Sequence, residues 1–220
     1  MISNLLHKLA DATEKLEKID FEKIGSEFSK SANMKFENRS SNFGCDGVSF
    51  SQKNIIFSTD NLDVKFDGSS EKFSVALYLA ENVNVDLVSV SFDKSEEEKL
   101  KITAHCHQNN GQGFLLIKGF SGNSLKIVSK NGDVHIMNTC IPSVNVETEN
   151  GDIEMDSVQF SDTVLKSDNG DIDVSVEQEC RIDIESKYGD VDKTGIESNF
   201  KSDKTLKCTS KNGDISVRKV

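Results

Sequence analysis

Tryptophan is absent from these 220 residues, and proline occurs once, at Pro142. Tyrosine occurs only at Tyr78 and Tyr188, so the aromatic platforms that stack against sugar rings are scarce. Arginine is confined to Arg39, Arg181 and Arg218, and the formal net charge is −11. A phosphate backbone calls for dense positive charge, so no nucleic-acid partner is expected. No apolar run approaches the ~20 residues of a transmembrane helix. The N-terminus lacks the continuous apolar stretch and cleavage site of a secretory signal. There is no CxxC pair, no glycine-rich phosphate loop and no Ser-His-Asp or Cys-His order that would mark a nucleophile. The five cysteines, Cys45, Cys106, Cys140, Cys180 and Cys208, are odd in number and irregular in spacing. They read as free thiols of a reducing compartment, not as a disulfide framework. The expectation is a cytoplasmic chain without cofactor.

What is abundant is one phrase. It stands at Asn131-Gly132-Asp133, Asn150-Gly151-Asp152, Asn169-Gly170-Asp171, Tyr188-Gly189-Asp190 and Asn212-Gly213-Asp214, with glycines 19, 19, 19 and 24 residues apart. A near-constant period of this size points to one small unit stacked on itself. Seven residues before each glycine stand Leu125, Val144, Thr163, Ile182 and Leu206; five before stand Ile127, Val146, Leu165, Ile184 and Cys208. Two after stand Val134, Ile153, Ile172, Val191 and Ile215; four after stand Ile136, Met155, Val174, Lys193 and Val217. Period two on both sides of the glycine reads as strand, corner, strand, with the apolar set on one face. Three before lies a hydroxyl column, Ser129, Thr148, Ser167, Ser186 and Ser210. The corner role of Gly132, Gly151, Gly170, Gly189 and Gly213 predicts a backbone with φ > 0. Asn-Gly between alternating strands also suits a hairpin, so parity alone leaves an antiparallel meander open. The period favours stacked coils sharing one core.

The repeated phrase apolar-x-apolar-x-[Ser/Thr]-x-Asn-Gly-Asp-[Ile/Val]-x-apolar resembles the DUF4097 family of adhesin-like β-strand repeat proteins, and more distantly the head-GIN adhesins. The clear match covers residues 125–217. A weaker one reaches upstream through Ile55, Phe57, Thr59, Asp63, Val64 and Phe66, with Leu62 in the glycine position. The resemblance implies an all-β, single-stranded β-solenoid, a right-handed β-helix, of 19–24-residue coils. It also implies an association with the cell envelope, and it implies no particular chemistry. The expected layout is an amphipathic helix and linker over 1–34 and a solenoid over 45–220, irregular over 45–120 and regular over 121–220.

The helix expectation rests on Ile2, Leu5, Leu9, Ala12, Leu16 and Ile19, spaced for one helical face. Three roles stay open for it: a cap on the first coil, a short coiled coil, or a membrane-surface segment. Its polar face mixes lysines with acids and so lacks the basic bias of the last.

Chemistry-bearing residues are few. His105-Cys106-His107 alternates along a strand, so its two histidines face away from its thiol and at most two ligands converge, below what zinc needs. No metal site is expected. The stronger pattern is acidic. Positions one and three after each glycine point outward and hold Asp133, Asp152, Glu154, Asp171, Asp173, Asp190, Asp192 and Asp214, joined by His135 and Ser216. In stacked coils these carboxylates line one ridge at ~4.8 Å spacing. Two readings compete: corner aspartates that accept backbone hydrogen bonds, or a surface for a cationic peptide or protein. The expected function is a non-enzymatic structural or interaction module, with no catalytic residues. The alternatives are a carbohydrate-active β-helix enzyme, which would need convergent carboxylates in a groove, and a carbohydrate-binding adhesin.

Overall fold

Where the sequence alternates with period two, the chain forms strands. The computed structural model describes residues 35–43, 53–70, 72–108 and 112–220; the expected N-terminal helix and Cys45 lie outside them. The strands are β1 (Phe36–Asn38), β2 (Asn54–Thr59), β3 (Asp63–Asp67), β4 (Ser74–Ala80), β5 (Val88–Asp93), β6 (Lys99–Cys106), β7 (Gly113–Lys118), β8 (Ser124–Ser129) and β9 (Val134–Cys140). They continue as β10 (Ser143–Thr148), β11 (Ile153–Gln159), β12 (Asp162–Ser167), β13 (Ile172–Val176), β14 (Arg181–Ser186), β15 (Val191–Thr194), β16 (Thr205–Ser210) and β17 (Ile215–Lys219). All belong to the unit Phe36–Val220.

Each repeat gives one strand to an eight-stranded sheet, turns at its glycine corner, and gives the next strand to a nine-stranded sheet. Equivalent strands pair in parallel and in register: Val144 lies beside Leu125 and Thr163, and Ile153 beside Val134 and Ile172. The meander alternative is therefore excluded for the repeats. The upstream copy obeys the same register, with Ile55 beside Leu125 and Val64 beside Val134. Antiparallel pairing is found where the repeat fails, between β1 and β4, β4 and β7, and β5 and β6.

The core lies between the sheets. Ile55, Phe57, Leu100, Ile102, Ile127, Val146 and Leu165 from one sheet meet Val64, Phe66, Leu115, Ile117, Ile136, Met155 and Ile172 from the other, all without solvent exposure. Full burial of such a side chain stabilises by about 1.5–3 kcal/mol. One coil offers only two or three such positions per strand, so stacking is what makes a core.

The stack does not follow chain order. The nine-stranded sheet runs β1-β4-β7-β3-β9-β11-β13-β17-β15, and the eight-stranded sheet runs β14-β16-β12-β10-β8-β2-β6-β5. The last repeat, β16–β17, is inserted between β12–β13 and β14–β15. The other end repeats the device: β6–β7 slides between β2–β3 and the antiparallel β4 and β5. Residues 195–204 provide the length that lets the chain return past its own edge coil.

Candidate functional site: the corner ladders and the acidic face

At each corner the side chains form ladders along the stack. The innermost is hydroxyl. Ser129 Oγ donates to the Gly132 carbonyl at 2.8 Å and accepts the Gly132 N–H at 3.0 Å. Ser210 accepts the Gly213 N–H at 2.9 Å while donating at 3.1 Å to the carbonyl of Gly170 in the next coil. Ser167 and Ser186 reach the carbonyls of Gly151 and Gly213 in the same way. The hydroxyl column is small because it satisfies backbone groups in a buried bend.

The glycines work differently from the sequence expectation. Among the described residues, positive φ is found at Gly119, Gly195, Asn138 and Ser157, and at none of the five corner glycines. What excludes a side chain at the corner is the neighbouring coil. A Cβ on Gly151 would stand 2.2 Å from the Gly132 carbonyl oxygen, and one on Gly213 would stand 2.1 Å from that of Gly170. Leu62 holds the equivalent place in the upstream copy because the next layer there offers Gly113.

Outside the glycines runs an amide ladder. Asn150 donates to Asn131 at 2.8 Å, Asn169 to Asn150 at 2.8 Å, and Asn212 to Asn169 at 2.6 Å; Asn131 continues it to Asn61 at 2.7 Å. Beside it runs an aspartate ladder in which each Oδ1 accepts the backbone N–H of the next coil's aspartate. The order is Asp63, Asp133, Asp152, Asp171, Asp214, Asp190, with distances of 2.8–3.0 Å. Burial pushes the Asp63 carboxyl up to about 7, with the Asp133 carboxylate adding to the rise and the Asp133 N–H opposing it.

Four of the eight expected ridge acids, Asp133, Asp152, Asp171 and Asp214, thus accept corner hydrogen bonds, and Asp190 ends the ladder with its N–H alone. The other three, Glu154, Asp173 and Asp192, lie one pleat further on the outer face of the nine-stranded sheet. Because the last repeat is inserted, their column reads Lys65, His135, Glu154, Asp173, Ser216, Asp192. The coils of Asp171 and Asp190 follow one another in the chain but not in the stack. Ser216 interrupts the acids, and Arg218 brings a cation to their flank, with Nε on Ser175 Oγ at 3.0 Å and a terminal nitrogen 3.8 Å from Asp156 Oδ1.

One cluster on this face is not apparent from the sequence pattern. His135 is buried. Its Nδ1 lies 3.6 Å from Glu154 Oε2 and its Nε2 lies 3.6 Å from Asp156 Oδ2. Burial raises the Glu154 carboxyl, and the Asp156 carboxylate raises it further. The usable signal is parity: His135 and Glu154 share the third position after their glycines, and Asp156 follows Glu154 on the same face.

His105, Cys106 and His107 take the expected alternation. Cys106 is buried, and His105 bonds Asp60 at 3.1 Å. The described cysteines Cys106, Cys140, Cys180 and Cys208 are free. Burial pushes the Cys208 thiol up to about 12, so it packs as an apolar residue and is a poor nucleophile. Among the described residues no helix is long and apolar enough to cross a membrane.

Two parallel sheets joined by repeated corners, with polar ladders along each corner, define a β-solenoid. The family profile described as Toastrack DUF4097 matches residues 108–220, about half of the chain, and the chain belongs to this DUF4097 family. The fold is similar to that of a protein from Clostridium sporogenes provisionally named as a cell adhesion protein. That similarity has a TM-score of 0.62 at 13% identity and covers 86% of this chain and 100% of the other. Weaker likenesses, both at TM-score 0.40, are to a provisionally named adhesin from Bacteroides fragilis and a provisionally named lipid-binding protein from Parabacteroides distasonis. The first is 15% identical and covers 87% of this chain and 98% of the other. The second is 13% identical and covers 86% and 98%. No curated protein matches the chain.

Proposed function

We propose that the chain is a non-enzymatic interaction module that binds a cationic peptide or protein through the outer face of the nine-stranded sheet and its corner. One observation carries this reading. Stacking in register gathers Asp152, Glu154, Asp171 and Asp173 onto two adjoining coils, within a chain of net charge −11. Neighbouring strands ~4.8 Å apart lie inside one Debye length, ~8 Å at physiological salt, so their fields add. Such a surface attracts cations and speeds encounter with a basic partner.

The absence of catalysis is supported by how the acids are used. A repeating ladder of carboxylates bound to backbone N–H groups suits a structural period better than a single reactive centre. Carbohydrate binding finds little support in the two tyrosines: Tyr78 stacks on Phe114 at 4.8 Å, and Tyr188 at the edge coil lies under Lys187. Free thiols, Cys180 and Cys208 among them, fit a reducing compartment. The coils are taken as right-handed, the hand that nearly all parallel crossovers adopt.

The test is titration of a Lys/Arg-rich peptide, in the presence of a chelator, into wild type and an Asp173→Ser/Asp192→Ser double variant. Wild type should bind at low salt and weaken as salt rises. The variant should bind about fivefold more weakly, from ~0.5 kcal/mol for each exposed ion pair that the substitutions remove. Equal binding by the two proteins, or none by wild type at low salt, would show that the acids serve only the corners and solubility.

A further inference from the structure

We propose that His135, Glu154 and Asp156 form a binding site for a divalent transition ion of the zinc class. Three ligand atoms, one imidazole nitrogen and an oxygen from each carboxylate, lie within 4.8 Å of one another. A tetrahedral zinc ion with ligands at 2.0–2.2 Å holds them about 3.4 Å apart. The carboxylates approach opposite nitrogens of the ring, Glu154 at Nδ1 and Asp156 at Nε2, each at 3.6 Å, so a small turn of one side chain brings both oxygens to the same nitrogen.

The backbone supports the site. His135 and Glu154 are register partners on adjacent parallel strands, and Glu154 and Asp156 alternate onto the same face of β11. The His135 side chain is 10% exposed, those of Glu154 and Asp156 49% and 31%. An ion can enter from the carboxylate side and meet an imidazole whose position is already fixed. Two carboxylates held together repel until a cation joins them. Mixed nitrogen and oxygen donors favour zinc and its neighbours, whereas calcium and magnesium prefer all-oxygen sets. Three protein ligands leave a fourth position for water or a partner's side chain.

Two cations oppose the site. Lys65 precedes His135 in the outward column. Arg218 approaches Asp156, but at Oδ1, while His135 faces Oδ2, so one oxygen of Asp156 remains turned to the site.

The experiment is calorimetric titration of Zn²⁺ into chelator-stripped, full-length protein, with Co²⁺ as a spectroscopic substitute. Other thiols and histidines also take zinc, so the comparison is among variants. Wild type and Cys140→Ser should share one equivalent of tight binding, and its Co²⁺ spectrum should lack intense thiolate charge transfer. His135→Gln and Asp156→Asn should weaken that equivalent by more than the 10–100-fold that loss of an outer partner to a metal ligand costs. Asp156→Asn keeps the side-chain shape; it decides the matter if His135→Gln fails to fold. Unchanged zinc affinity in Asp156→Asn, or a thiolate spectrum that vanishes in Cys140→Ser, would overturn the assignment. The peptide variant at Asp173 and Asp192 replaces none of the three ligands, and the zinc variants leave both of those aspartates in place, so the two proposals can fail separately.

Discussion

The carbonyl oxygen of Gly151 lies 2.2 Å from the point a Cβ on Gly170 would occupy. The corner glycine is thus selected by a neighbour one coil away and not by its own backbone angles. Gly195 offers the opposite case, with φ +68 and its nearest atom, Lys219 Cβ, 3.9 Å away. Gly195→Ala should therefore cost only the 1–2 kcal/mol of a left-handed residue. Gly170→Ala should cost more than about 3 kcal/mol, because backbone must move to admit it. Denaturant unfolding of the two variants checks the order; equal losses would mean the coils can separate cheaply.

Thr163 is fully buried in a column of aliphatic residues, and its hydroxyl has no hydrogen-bond partner among the described residues. An unsatisfied buried hydroxyl costs about 1–3 kcal/mol, and an apolar isostere removes that cost. Thr163→Val should raise the unfolding free energy by about 1 kcal/mol or more. A fall in the denaturation midpoint would show that the hydroxyl is satisfied in solution.

Asp63 sets a pH dependence. Its folded pKa of about 7 is above the 3.8 of an ordinary aspartate, so the folded state holds the proton more tightly than the unfolded chain. Its contribution to stability is complete below about pH 4 and is lost as pH rises towards 7. Asp63→Asn keeps the oxygen that accepts the Asp133 N–H and removes the titration. The variant should match wild type near pH 4 and exceed it at pH 8 by up to about 4 kcal/mol, at 1.4 kcal/mol per unit over about three units. Parallel stability curves between those limits would contradict the assignment.

Truncation tests the stacking order. Ending the chain after residue 204 removes β16–β17 and strips β14–β15 of the strands they pair with. Ending it after residue 178 removes both coils and leaves β12–β13 as a clean edge. The shorter chain should melt no lower than the longer one, and the longer should aggregate more, because its last coil is unpaired. A clearly higher melting temperature for the 1–204 chain would favour stacking in chain order.

Strands, core columns and the upstream copy with Leu62 were legible because period two survives any arrangement of the coils. Stacking order was not, because the coils carry interchangeable Ser, Asn and Asp edges and any copy can pair with any other. Two residues of one coil did carry the information. Tyr188 stands where the others have asparagine and Lys193 stands in an apolar column; the structure leaves Val191 of the same coil 43% exposed. A coil that cannot extend the amide ladder and has a lysine in its apolar column belongs at the edge, where the structure leaves Lys193 exposed. The glycine mechanism was hidden for another reason: the sequence is the same whether glycine supplies a rare backbone angle or empty space. The cluster at His135 needed the register, since its ligands are about 20 residues apart along the chain.

Because the last repeat fills an inner layer, this solenoid cannot grow coil by coil as it leaves the ribosome. Residues 181–194 emerge before 205–219, when the neighbouring coil in the chain, β12–β13, still lacks the layer that later covers it. Pairing there would repeat the hydroxyl and aspartate contacts of the corner and trap the chain in a shorter stack with its tail outside. Tyr188 offers Asn169 no amide, and Lys193 would face Val174 in the core, so the premature arrangement forms poorly and opens readily. The departures from the repeat at the edge coil thus act as a delay, keeping a place open until the final strands are made.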